Sequence, residues 1–519
     1  MRIASILVFS AVIATAAAAC GSAKDRHEVT PALQEILAAK PIVPVEPAVW
    51  ADVAAFYEKR AATPAWIDEP KENSTARATK AVELLHTAPA HGLEGDYGDA
   101  RIAELPALIK KLDKKSPERL QQLAELDVRI TTALLAFGRD VALGHSRPEA
   151  IDPRWKSQRA TPDFAGTLNT AVNGDLDDWL DSIRPQHPEY IALQKALADV
   201  EGQEKKGGWV QVSNQATLRQ RLAASGELKG DDLAAGVRSF QELHAIKATG
   251  SLDAATRAAM NVPIEERLSQ IRVNLERWRW APDDFGTDYF LVNIPFFHLI
   301  AFENRKPVMD IRVVVGKAGH ETPIFSDEME SVVFSPYWNI PDAIAEGETA
   351  PAVGRDPNYL AKNNIEVLRV SNKQVELVDP SHVNWDDPKE LRGLAFRQRP
   401  GSNNALGQVK FLFPNAFDVY LHDTPADALF SRQSRAFSHG CVRVEEPEKL
   451  AHYVLRDDKD WNVEQMNAAM RSGEEKYVTL KSKIPVHIVY FTAWVDEGGG
   501  VHFQPDIYGY DKKQRLQKS

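Results

Sequence analysis

The apolar pattern of this chain changes period at Tyr289, and that change decides what it can fold into. Upstream, apolar residues recur at three- and four-residue spacing, the mark of helices packed on one face; downstream they gather into short β-rich runs separated by turns. Phe290-Leu291-Val292-Asn293-Ile294, His298 to Phe302 and Met309 to Gly316 are the first such runs, and Glu330–Phe334, Val409–Phe413, Val419–Leu421 and Val486–Trp494 continue them. A helical first half and a mainly β second half make an α+β multidomain protein. The chain has 519 residues, more than one hydrophobic core serves, and two to four domains are expected.

Met1-Arg2 followed by the uncharged run Ile3–Ala19 reads as a secretory signal. Small residues directly before Cys20 resemble a bacterial lipobox, which makes Cys20 a candidate for lipidation and membrane anchoring; cleavage after an Ala-x-Ala site, leaving a soluble periplasmic protein, is the alternative. Residues 1–20 are thus expected to be a signal peptide with a lipobox, and 21–48, with Pro41, Pro44 and Pro47, a tether. Residues 49–200 form a helical scaffold domain: Val53, Phe56 and Tyr57 share a face, and Leu123, Leu126, Ile130, Leu134 and Phe137 keep helical spacing. Glu201 to Gly208 reads as a linker. Residues 209–264 make a compact helical unit, with Leu218, Leu222, Leu233, Val237, Phe240 and Leu243 on its apolar faces and Asp253 or Ser251 capping its last helix. Residues 276–511 hold the β-rich part, in which the charged, less regular 342–404 is expected to be an insertion capping the β core.

Net charge is −11 and pI near 5.8, so nucleic acid is not an expected partner. Of two cysteines, one lies in the leader; the other, Cys441, follows His422 by nineteen positions, in Ser438-His439-Gly440-Cys441-Val442-Arg443. A thiol with a nearby imidazole to take its proton, and small residues that let backbone N–H groups approach a carbonyl oxygen, suffices for nucleophilic acyl transfer. Strand alternation puts Tyr420 and His422 on one face. His439, two residues from Cys441, competes with His422 for the role of base, and the residues alone leave that choice open. No second cysteine or His-x-x-x-His pair makes a zinc site.

Tyr420-Leu421-His422-Asp423 with Ser438-His439-Gly440-Cys441-Val442-Arg443-Val444 resembles the signature of the YkuD-type L,D-transpeptidases, and Thr322–Ser326, Asn339–Pro341, Asn404–Gly407 and Phe411–Asn415 extend the likeness. The string Val237–Gln241 with Gly250–Thr256 resembles the three-helix peptidoglycan-binding domain. The whole is similar to the large, YcbB-like periplasmic branch. The resemblance implies that Cys441 is the nucleophile and His422 the general base and acid. The main-chain carbonyl of Asp423 would orient the imidazole, so that its side chain need not matter. Backbone N–H groups of Gly440 and Cys441, with the Tyr420 hydroxyl, would bind the oxyanion. Ser438, His439 and Arg443 would shape the site and bind substrate, and Trp338 would line the donor groove. The implied reaction, in cell-wall biogenesis, forms 3→3 peptidoglycan cross-links: a thioester made from a tetrapeptide stem is passed to an amine acceptor, with neither metal nor cofactor. A hydrolase of stem peptides using the same thiol, or a non-catalytic wall-binding scaffold, are the alternatives.

Overall fold

The computed structural model describes residues 29–516 except 40, 96, 99, 372, 373, 386 and 392; the leader and Cys20 lie outside the described residues. The helical region is built around the long helix Pro117–Leu143, whose N-terminus is capped by Ser116, its hydroxyl accepting from the Arg119 amide. Helices Pro47–Lys59, Ala76–Leu85, Ala100–Ile109, Phe164–Ala171 and Leu176–Ile183 pack around it in one apolar core. Asp127 is buried in that core, where it accepts from the amides of Ala65 (3.0 Å) and Trp66 (2.7 Å) and from the Tyr57 hydroxyl (2.7 Å). The tether expected over 21–48 does not hold for Val29–Ala38. That segment is a helix whose Val29, Leu33 and Ile36 are buried against the same core; its single three-and-four-spaced stripe is short and stands next to a proline-rich stretch. The expected linker at 201–208 is also shorter. Helix Pro188–Lys205 runs on until Gly207 and Gly208, both at positive φ, stop it.

The small helical unit has helices Gln215–Ser225, Leu233–Leu243 and Ala254–Met260 around Val212, Leu218, Leu222, Val237, Phe240 and Met260. Asp253 caps the last of them, accepting from the Thr256 amide at 2.7 Å. Helix Ile264–Trp278 then joins the helical and β parts. Its Glu276 carboxylate accepts from the Ser146 amide and hydroxyl at 2.7 and 2.9 Å and pairs with Arg279 at 2.8 Å, and both of these charged side chains are fully buried.

Nine strands make the main sheet, in the order Ala436–Ser438, Lys306–Gly316, Val442–Val444, Leu421–His422, Val409–Leu412, Phe325–Phe334, Lys476–Val489, Tyr289–Asn293, His298–Glu303. His298–Glu303 also pairs with Lys306–Gly316, so eight of the strands close on themselves. Their inward side chains, among them Val313, Val315, Val332, Phe411, Leu421, Val442 and Ile488, form the core of this domain. The insertion is a separate subdomain with its own sheet, in the order Trp338–Ile340, Leu394–Gln398, Ile365–Ser371, Gln374–Val378, and its own apolar cluster around Val353, Leu360, Val367 and Phe396. Asn404 clamps its exit to its entry: the amide nitrogen donates to Pro336 O (3.1 Å) and Arg399 O (2.9 Å).

Candidate active site

Cys441 and His422 come to the same end of two short strands that run parallel. Leu421 pairs with Val442 and His422 with Arg443, and the Val442 amide donates to Tyr420 O at 3.2 Å. The register puts Tyr420 opposite Cys441. The Tyr420 hydroxyl lies near the thiol, and the Tyr420 and His422 rings stand edge to face, 5.6 Å apart. The thiol also faces the Asp418 carbonyl at 3.8 Å. Asn415 shapes the turn that presents this carbonyl, accepting from the amides of Phe417 and Val419 and donating to Phe413 O and Val419 O at 2.7 Å each.

The His422 Nδ1–H donates to the Asp423 carbonyl at 2.5 Å, which leaves Nε2 as the basic nitrogen. The Asp423 side chain, expected to be dispensable, holds the loop in place. Its carboxylate accepts from the Gln408 amide (2.7 Å) and the Thr424 amide (2.6 Å), and Gly407 sits so close that an added Cβ would lie 2.1 Å from the Asp423 carboxylate.

Burial pushes the His422 pKa down to about 3, helped by the nearby Arg443 and Lys410 cations. Burial raises the Cys441 thiol, while the Tyr420 hydroxyl and the Arg443 charge pull it the other way. Tyr420 is held well above its usual value by burial and by the thiol beside it. The resting pair is therefore neutral thiol and neutral imidazole, with the proton to be moved on attack rather than beforehand.

The Ser-His-Gly-Cys turn is tightly tied. Ser438, buried, donates its hydroxyl to Cys441 O (2.5 Å) and accepts from the Gly440 amide (3.1 Å). This corrects the expectation for Gly440: its N–H is already engaged, whereas the Cys441 amide has no acceptor among the described residues. Gly440 adopts φ +122°, and its carbonyl accepts from the Thr322 hydroxyl at 2.7 Å. Thr322 lies in the stretch that extends the motif, yet its link to Gly440 spans 118 positions and sequence gave it no role.

His439 points to the insertion. Its Nε2 pairs with Glu348 at 2.9 Å, with Lys317 3.4 Å away and the His320 ring 4.7 Å distant. Nε2 can donate to the carboxylate or accept from the ammonium, not both, and Glu348 is nearer. Neither Glu348 nor Lys317 was legible as part of the site. Arg443 is largely buried, and its Nε has no hydrogen-bond partner among the described residues. Trp338 packs against the apolar cluster of the insertion, with its strand paired to Leu394–Gln398. The described residues contain no cluster of three metal-ligating side chains and no helix long and apolar enough to cross a membrane.

Comparison with known proteins agrees with this division. Residues 287–475 match the family of L,D-transpeptidase catalytic domains (YkuD), and residues 51–197 match a scaffold domain family. A Haemophilus influenzae protein named "Putative L,D-transpeptidase" is 35% identical over 253 residues, which cover 49% of this chain and 50% of that protein. The chain thus spans about half the length of that curated relative.

Proposed function

From the L,D-transpeptidase catalytic domain that the chain carries behind its N-terminal scaffold domain, we propose that this protein cross-links peptidoglycan by cysteine acyl transfer, joining stem peptides 3→3 in building the cell wall. The observation that supports it most is the parallel pairing of Leu421–His422 with Val442–Val444, which puts a buried imidazole, fixed through Nδ1, and a half-buried thiol on adjacent strand ends.

In the first step the Cys441 sulfur attacks the carbonyl of the third stem residue, usually meso-diaminopimelate. The S–C bond forms as His422 Nε2 takes the thiol proton. The oxyanion is met by the Cys441 amide and the Tyr420 hydroxyl. The C–N bond to the terminal D-Ala then breaks, and His422 returns the proton to the leaving amine. In the second step an amine from another stem attacks the thioester and loses a proton to His422; the sulfur leaves and takes that proton back. Arg443 would meet a substrate carboxylate. The unit spanning Gln215–Met260 would hold the enzyme on the wall, and the leader with Cys20 would place it in the periplasm on a lipid anchor.

The test is mass spectrometry of products from purified tetrapeptide muropeptides, with wild type and Cys441→Ala. Tripeptide–tetrapeptide dimers from wild type alone are expected. Trimmed tripeptides without dimers would assign the same thiol to hydrolysis, and dimers from Cys441→Ala would refute the role of the cysteine.

A further inference from the structure

We propose that Thr322 is a positioning residue for the oxyanion donor at Cys441, acting through the Gly440 carbonyl; the inference rests on the acyl-transfer reading above. The Gly440 carbonyl and the Cys441 amide belong to one peptide plane. No peptide bond among the described residues is cis, and in a trans peptide C=O and N–H point in opposite directions. Whatever fixes the Gly440 oxygen therefore fixes the direction of the Cys441 N–H. That oxygen is held by the Thr322 hydroxyl at 2.7 Å.

The hydroxyl is itself held. It accepts from the Gly316 amide at 2.9 Å, and since a hydroxyl has one proton to give, that proton is turned to Gly440 O. Thr322 is completely buried, and its branched Cβ restricts χ1. Its backbone is pinned as well: the Thr322 amide donates to the Tyr508 hydroxyl at 3.2 Å, and that hydroxyl donates to Gly316 O at 2.7 Å. Gly316 leaves no slack, because a Cβ there would lie 2.0 Å from His320 O. The other amide of the turn, Gly440 N–H, is taken by Ser438 Oγ. The Cys441 N–H has no acceptor among the described residues, and a side chain from the loop that follows strand Lys306–Gly316 sets its aim.

Two reactions of the one thiol separate this role from general support. A penem acylates Cys441 by carbonyl attack: the S–C bond forms, the β-lactam C–N bond opens, and charge builds on the oxygen between. Iodoacetamide alkylates it by displacing iodide, with no oxyanion. Mis-aiming a donor costs about 10- to 100-fold in a step that uses it. Thr322→Val is therefore expected to lower the ratio of acylation to alkylation rate constants by that factor, while Thr322→Ser, which keeps the hydroxyl, stays near wild type. Tyr508→Phe loosens the same pocket but leaves the Thr322–Gly440 bond, so its ratio should also stay near wild type even where its melting point falls. An unchanged ratio in Thr322→Val, or an equal fall in Tyr508→Phe, overturns the inference. If Thr322→Val fails to melt cooperatively, the Ser and Phe variants still decide, since a fall in either refutes it. Wild-type protein that is alkylated but never acylated overturns the transpeptidase reading, and this one with it.

Discussion

Asp423→Ala removes a side chain that the chemistry of the site does not require, and it should still damage both stability and catalysis. The carboxylate accepts from the amides of Gln408 and Thr424 at 2.7 and 2.6 Å. Alanine leaves both donors without an acceptor in a mostly buried place, at about 1–3 kcal/mol each. Asn keeps one acceptor oxygen and turns an amine toward the other N–H, so it should cost roughly half as much. For a domain of this size ~1 kcal/mol lowers the melting midpoint by about 2–4 °C, so Asp423→Ala, at about 2–6 kcal/mol, should melt about 4–24 °C below wild type. Catalysis follows because the Asp423 carbonyl, which sets the His422 tautomer, sits on the freed loop. A shift of about 1 Å there is worth on the order of 100-fold in acylation. Differential scanning fluorimetry and penem acylation read the two effects. An Asp423→Ala protein that melts within about 2 °C of wild type and acylates at the same rate would refute the reasoning.

Three further outcomes are expected. Gly316→Ala should fail to give the native domain, since its Cβ would meet His320 O at 2.0 Å, whereas Gly440→Ala, with 4.0 Å to its nearest neighbour, should fold with only the cost of φ +122°, about 1–3 kcal/mol; expression and melting of the two check it. Glu348→Gln breaks a partly exposed ion pair worth at most ~1 kcal/mol, so melting should barely move, but the His439 pKa, already lowered by burial and Lys317, should fall further because the carboxylate was raising it; an NMR titration that shows a rise would contradict the pairing. Buried His422, His91 and His487 are held down to about 3, 4 and 4. The unfolded chain takes up their protons near pH 6.5 and the folded one does not, so their stabilisation is complete above that pH and is lost as pH falls toward 4, each at up to ~1.4 kcal/mol per pH unit; a melting profile between pH 7 and 4.5 that is no flatter in His487→Gln than in wild type would exclude His487 from this.

The parts of the fold that sequence shows are those carried by local pattern. The change of period at Tyr289 falls on the first strand of the closed sheet, and the stripe from Leu123 to Phe137 lies on the central helix of the helical region. Cys441 and His422 are legible as candidates because both stand in one motif. What escaped is what depends on distant partners. Thr322 shows its hydrogen bond only when its hydroxyl is seen on Gly440, Glu348 only when the insertion folds back on His439, and the Asp423 carboxylate only when Gln408 arrives from the turn before strand Val409–Leu412. The Gly440 amide is engaged for a local reason: the Ser438 hydroxyl two residues earlier accepts from it, a side-chain-to-backbone bond of the kind that serine makes in turns.

Burial explains the behaviour of the pair as well as its stability. In water a thiol beside a histidine can ionise to thiolate and imidazolium, and the thiolate then invites oxidation or non-specific attack. Here desolvation works against both charges at once: it raises the thiol, and it holds the imidazole near pH 3. The groups that favour thiolate, the Tyr420 hydroxyl and the Arg443 cation, oppose that without cancelling it. In the proposed reaction the thiol becomes nucleophilic when a carbonyl lies against it and negative charge can pass to an oxygen met by the Cys441 N–H and the Tyr420 hydroxyl. Desolvating the pair and aiming the donors are then one design, because a buried thiol that holds its proton gains reactivity only where the oxyanion is received. On this account the acylation rate is level from about pH 5 to 8, with no inflection at the ordinary histidine value near 6.5. An inflection there would mean that His422 is open to water, and would remove the basis for a neutral resting pair.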